Sequence, residues 1–241
     1  MSELQGGVLV FDLDDTLYLE SDFARSGFEA ASAWLYREMG VANFADHCHA
    51  IFATGRHSRV FDEALAAAGM AGNRTLTAKL IEVYRQHHPR IALAPDALEY
   101  LCNPARKARL ALITDGYAAT QMAKVKALGL EEILDHIIYT DVWGPKFWKP
   151  HPRAFEAIQE WSGVPCAELV YVADNPAKDF IAPRRLGWRT IQIARIGRIR
   201  MAYATEPDQR PDAVITSLFD LDACLATLRT APQSTITTNP K

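Results

Sequence analysis

The chain has only four cysteines in 241 residues, Cys48, Cys102, Cys166 and Cys224, and none forms a C-x-x-C pair. That spacing excludes zinc fingers and dense disulfide frameworks and predicts free, mostly buried thiols of a reducing compartment. No apolar run approaches bilayer-spanning length, and the first residues, MSELQGG, lack the basic and apolar stretches of an export signal. The expectation is a cytoplasmic chain with no membrane partner. An excess of one charge is missing as well: 26 Lys and Arg stand against 29 Asp and Glu, a formal net charge of −3. This balance predicts no nucleic-acid partner, while leaving room for a local basic pocket. Internal repeats and sustained heptads are also absent.

What is present is an ordinary globular composition, 49% apolar and 23% charged, in a chain long enough for one large core and a modest second module. The apolar run from Val8 to Phe11 reads as a buried strand. Similar runs recur at RLALIT (109–114), HIIYT (136–140), ELVYVA (168–173), RTIQIA (189–194) and DAVIT (212–216). Continuous rather than alternating hydrophobicity predicts a parallel sheet covered on both faces. Helical patterns fall between these runs. Gly129 marks one helix end, Pro152 and Gly163 bracket a second helix, and Asn175, Pro176 and Gly187 bracket a third in which Pro183 is a weak point. Arg184 and Arg185 are expected on its solvated face. The alternation predicts a doubly wound α/β fold with ligands at the C-terminal ends of the strands.

Between Tyr18 and Pro95 no strand pattern appears. Four helical patterns fill the gap, with stops at Gly40, Gly55 and Gly69. The expected organisation is a core of residues 1–17 and 95–229, an inserted all-helical module at 18–94, and a disordered Thr/Pro/Asn-rich tail at 230–241.

The chemistry gathers at the strand ends. FDLDDTLY (11–18) follows the first strand and crowds Asp12, Asp14 and Asp15 together, which is costly unless a cation sits among them. Thr114, Asp115 and Gly116 follow RLALI, Lys149 precedes a helix in WKPHPRAF, and Asp174 and Asp179 follow ELVYVA. Carboxylates from two different strands make an oxygen site suited to Mg²⁺, which usually shares its shell with a phosphate. In such a site Asp12 is placed to attack phosphorus and Asp14 to carry a proton to the leaving oxygen and then to activate water. The Thr114 hydroxyl and the Asp115 and Gly116 amides are donors for phosphoryl oxygens, and Lys149 offsets charge. In the insertion, TGRHSR (54–59) sets Arg56 either to grip an anionic substrate or to sit in a solvated turn.

DLDDT (12–16), LIT (112–114), Lys149 in KPHPRAF, and ADNPAKD (173–179) occur in the order of the four motifs of the haloacid dehalogenase superfamily. From residue 8 to about 195 the chain resembles that superfamily's phosphatase-like members with a helical C1 cap. The resemblance implies a Rossmann-like core whose cap closes over the site. It implies that Asp12 is the nucleophile and a metal ligand, and that Asp14 is the general acid/base and ligates through its backbone carbonyl. Asp174 would be a direct Mg²⁺ ligand, and Asp179 one in the second shell or acting through water. Thr114 and Lys149 would position the phosphate, while Asp15 falls at a variable position and receives no catalytic role. Two positions depart from the pattern: Asp115 where many relatives carry Asn, and Ala173 where Gly is usual. The expected activity is Mg²⁺-dependent hydrolysis of a small phosphomonoester, a sugar phosphate or nucleoside monophosphate, by a monomer or homodimer. A phosphomutase of the same superfamily and a non-enzymatic phosphate-binding protein are the alternatives. A dehalogenase is disfavoured by Asp14 and the Asp174/Asp179 pair, which that chemistry does not need.

Overall fold

The computed structural model describes residues 7–199 and 201–230. The tail expected to be disordered lies, beyond Thr230, outside the described residues. Chain contacts separate two units: one contains the residues up to Leu19 together with those from Ala92 onward, the other is Glu20–Ile91. No helix among the described residues is long and apolar enough to cross a membrane.

The first unit is built on a six-stranded sheet in which every pairing is parallel. Its strands are β1 (Val8–Phe11), β2 (Arg109–Thr114), β3 (His136–Tyr139), β4 (Leu169–Ala173), β5 (Arg189–Ile193) and β6 (Ala213–Ile215), in the order β3-β2-β1-β4-β5-β6. The four residues of β1 are all buried because both faces are covered. Val8 and Val10 pack with Phe155 and Ile158 of helix α7 (Arg153–Ser162), and Phe11 meets Tyr100 of α5 (Pro95–Leu101) edge-on at 6.5 Å. A strand buried on both sides has no polar face, which is why its sequence does not alternate. The chain winds outward in opposite directions from β1 and β4, so the crevice beyond their C-terminal ends is the switch point where such sheets bind ligands.

The second unit holds α1 (Glu20–Met39), α2 (Phe44–Ala53), α3 (Val60–Ala67) and α4 (Arg74–Gln86). Phe28, Leu35, Phe44, Phe61, Leu65 and Leu80 form its apolar centre. Gly40, Gly55 and Gly69 follow α1, α2 and α3 with φ of 70°, 79° and 78°, a conformation open to glycine at low cost.

Several sequence expectations are corrected. The helix expected to start at Pro176 begins only at Ile181, as α8 (Ile181–Arg185). Residues 175–180 instead turn on side chains: the Asn175 amide donates to Asp179 Oδ2 at 3.0 Å, and Asn175 Oδ1 accepts from the Ala177 amide at 3.1 Å. Short polar side chains bonding nearby backbone compete with helix in this way. Arg184 is not solvated but largely enclosed, pairing with Asp212 at 2.5 Å, whereas Arg185 is exposed as expected and pairs with Asp208 at 2.6 Å. All four cysteines are free, but only Cys48 is buried, while Cys102 is exposed and Cys166 and Cys224 are half-buried. Cys102 follows the last residue of α5 and Cys166 lies in the turn before β4, while Cys224 sits within the helix Leu221–Thr230 but is not among its buried residues.

Candidate active site

The three crowded aspartates point to three different partners. Asp12, one residue past β1, is buried, and its Oδ1 accepts from Lys149 Nζ at 2.5 Å. Asp14 turns toward α6 (Ala118–Ala127): its Oδ1 lies 2.7 Å from Lys124 Nζ and also accepts from the Tyr18 hydroxyl, and its Oδ2 accepts from Gln121 Nε2 at 3.0 Å. Asp15, at φ 54°, accepts the Ile199 amide at 2.7 Å and so ties the first motif to the segment after β5. Asp and Asn tolerate that backbone region better than other non-glycine residues.

Beyond β4, Asp174 and Asp179 are buried beside Asp12, and one carboxylate oxygen from each of the three lies within 4.8 Å of the others. Lys149 Nζ sits 2.8 Å from Asp179 Oδ1 and donates to the Tyr171 hydroxyl at 2.9 Å, in addition to its bond to Asp12. Burial pushes the Asp12 carboxyl up to about 6; Lys149 pulls against this and Asp179 adds to it. Burial, followed by the Asp179 and Asp12 charges, pushes Asp174 up to about 9. Among the described residues Asp174 has no salt-bridge partner of its own. Three buried carboxylates crowded together in this way form a hard-oxygen donor set that fits a divalent cation.

On the β2 side, Thr114 Oγ1 accepts from Gln121 Nε2 at 2.5 Å, and Gly116 turns the chain at φ 116°, which favours glycine. The Asp115 side chain does not stand open beside the site: Oδ1 accepts from Thr140 Oγ1 at 2.8 Å and from the Lys149 amide at 3.2 Å, and Oδ2 lies 3.3 Å from Lys178 Nζ. Burial alone would raise its carboxyl, but Lys149 and Lys178 hold it below the usual range. The extra carboxylate that Asp brings at this position, in place of Asn, is thus paired with Lys178. Arg56 belongs to the helical unit, where its guanidinium pairs with Glu63 at 2.9 Å and bonds Thr54 Oγ1 at 3.0 Å.

A buried carboxylate after β1, a lysine clamped on it, a hydroxyl on the last residue of β2 and two further carboxylates after β4 are therefore assembled at one switch point. Residues 7–187 match the family profile described as haloacid dehalogenase-like hydrolase. The chain belongs to that family. Within it, the chain is similar to a glyceraldehyde 3-phosphate phosphatase of Methanocaldococcus jannaschii, 27% identical over 224 residues, 88% of this chain and 94% of the relative. It is 32% identical to a phosphoserine phosphatase of Thermus thermophilus over 161 residues, 66% of this chain and 61% of the relative. The fold is shared with a 2-haloacid dehalogenase of Pseudomonas syringae, with a TM-score of 0.61 and 24% identity over 92% of this chain and 99% of that one.

Sequence reading of this haloacid dehalogenase-like chain missed Tyr18, Gln121, Lys124, Tyr171 and Lys178. Gln121 and Lys124 carried a signal: they lie three apart on the helix face that is otherwise buried, where an apolar pair is the ordinary choice. Lys178 also stood in plain view, one position before Asp179.

Proposed function

We propose that this hydrolase is a Mg²⁺-dependent phosphomonoesterase, acting on a small phosphorylated metabolite through an aspartyl-phosphate on Asp12. The observation that carries the reading is the buried Asp12 carboxylate, bonded to Lys149 at 2.5 Å and grouped within 4.8 Å with two further carboxylates that fit a divalent cation. In the first transfer an Asp12 oxygen bonds to phosphorus as the bond to the leaving oxygen breaks, and Asp14 delivers a proton to that oxygen. In the second, water attacks the phosphoryl group, gives its proton to Asp14, and Asp12 is released as carboxylate. Lys149 keeps Asp12 and Asp179 in place, and Thr114 with the amides that follow it receives phosphoryl oxygens. Asp12, Asp174, Asp179 and the Asp14 carbonyl would hold Mg²⁺, which supplies the positive charge that lets an anionic carboxylate approach an anionic phosphate.

The relatives named for glyceraldehyde 3-phosphate and phosphoserine support the phosphoester class, and a sugar phosphate or nucleoside monophosphate is the substrate class proposed here. The carboxylate group and the lysine dedicated to Asp14 favour phosphoryl transfer over dehalogenation. Purified protein should release phosphate from p-nitrophenyl phosphate only when Mg²⁺ is present, and Asp12→Asn should abolish turnover. Substantial activity in Asp12→Asn, or full activity after chelation, would sink the reading. A phosphate-release screen over some dozens of metabolites then identifies the leaving group.

A further inference from the structure

Three lysines serve the strand-end carboxylates, and two of them are already committed. Lys124, with only 5% of its side chain exposed, is spent on Asp14. Lys149 is fully enclosed, and its ammonium has three donors facing three oxygens, on Asp12, Asp179 and Tyr171. An incoming phosphoryl group would have to displace one of these to gain a bond from Lys149.

Lys178 is different. It lies in the turn that carries Asp174 and Asp179, its side chain is 33% exposed, and Asp115 is its one ion-pair partner among the described residues, at 3.3 Å. Asp115 is itself anchored, through Oδ1, to the Thr140 hydroxyl and the Lys149 amide. The carboxylate thus has one oxygen fixed to the β2–β3 side of the site and the other left to steer an ammonium.

We propose that Lys178 is a second cation, beside Lys149, that bonds the phosphoryl oxygens of the substrate, and that Asp115 is the residue that positions it. This rests on the reading of Asp12 as the phosphoryl acceptor. It leaves Lys149 bound to Asp12 and Asp179, and gives the Asp at position 115 a purpose that Asn would not serve. A lysine is suited to the role because its compact ammonium, reachable from solvent, can exchange water for a phosphoryl oxygen.

The test uses the full chain with Mg²⁺, and inorganic phosphate as the probe, measured both as a competitive inhibitor of p-nitrophenyl phosphate hydrolysis and by calorimetry. Lys178→Met keeps the apolar stem and removes only the charge. It should raise the KM for the ester and weaken phosphate binding about tenfold or more, with a smaller change in kcat. Lys178→Arg should recover most of the affinity, and Asp115→Asn should weaken phosphate binding by less than Lys178→Met does. A folded Lys178→Met protein that binds phosphate as tightly as wild type overturns the assignment. So does a loss that Arg fails to restore, since that marks a packing role. Calorimetry repeated in the Asp12→Asn background reads Lys178 without turnover. Failure of the hydrolytic reading, seen as activity that survives Asp12→Asn, is thereby kept apart from failure of this one.

Discussion

At Asp14 the carboxylate meets a lysine, an amide and a phenol, all held by the protein itself. Burial would raise its carboxyl, but Lys124, with the hydrogen bonds of Tyr18 and Gln121, brings it below the ordinary value. Gln121 also donates to Thr114, so one side chain sets the geometry of both the Asp14 carboxylate and the Thr114 hydroxyl. Lys124→Met is expected to lower kcat/KM about 10- to 100-fold, part of the range that positioned acid–base groups contribute. The loss follows from a misplaced Asp14 carboxylate rather than from a weaker acid, since Lys124 lowers that carboxyl, so it should be no greater for an alkyl phosphate than for p-nitrophenyl phosphate. Parallel kinetics on the two esters checks this, and a loss confined to the alkyl ester would show that Lys124 acts on proton delivery instead. At this scale the sequence was only partly legible. Asp12, Lys149 and Asp174 stand in ordered motifs, whereas nothing in the spacing of Lys124 or Tyr171 says which carboxylate or ammonium they meet.

Among the elements, α1 and α4 show how a local preference yields to packing. Gly27 lies inside α1, where alanine would favour the helix by about 1 kcal/mol. A Cβ there would run into the Tyr84 ring of α4 and crowd His87 Cε1 at 3.2 Å. Tyr84 has no easy retreat, since Phe23, Phe28 and Phe61 surround its ring at centroid distances of 5.3, 5.7 and 5.7 Å. Close by, the Ser26 hydroxyl bonds His87 Nε2 at 3.0 Å and accepts the Arg90 amide at 2.9 Å, fixing the same pair of segments. Gly27→Ala should therefore destabilise the protein by about 1–3 kcal/mol, the usual cost of overpacking, as read from urea unfolding. A gain in stability would show that the ring moves aside. The element at α8 makes the complementary point. Its glycine signal holds, since Gly187 follows the helix at φ 81°, but Pro176 does not start it: the chain from Asn175 first makes a turn tied by the Asn175 and Asp179 side chains.

For the sheet-bearing unit as a whole, one buried ion pair joins distant parts of the chain. Arg195 Nη1 lies 2.8 Å from Asp96 Oδ1 and its Nε donates to the Thr16 carbonyl at 2.7 Å. Asp96 Oδ2 accepts from the Ser217 hydroxyl and the Leu218 amide, each at 2.7 Å. The start of α5, the segment after β5 and the segment after β6 therefore share one carboxylate, and the arginine on it also holds the first motif. Asp96→Ala leaves Arg195 buried without its counter-ion, and should cost about 3 kcal/mol in chemical denaturation. Burial alone would raise the Asp96 carboxyl, but the Ser217 and Arg195 bonds keep it below its ordinary value. A carboxyl depressed by folding stabilises the native state above its unfolded value, and that stability is lost as pH falls through the folded value. Wild type should accordingly lose more stability than Asp96→Asn between about pH 5 and pH 3, where unperturbed carboxyls titrate. Denaturant midpoints measured across that interval decide it, and parallel curves would remove Asp96 from the acid response.

By itself the sequence determined the parallel sheet, the helical insertion after β1 and the carboxylates at the strand ends. Those features are written in local periodicity, in glycine and proline punctuation, and in motifs whose residues lie within a few positions of one another. Tertiary structure alone decided which charge answers which. Lys149 meets Asp12 from 137 positions away, Lys124 meets Asp14 across 110, and Arg195 meets Asp96 across 99. Pairings of this kind depend on how strands order themselves in the sheet and on which helix face is buried. Both are properties of the packed chain, and no short window of sequence contains them.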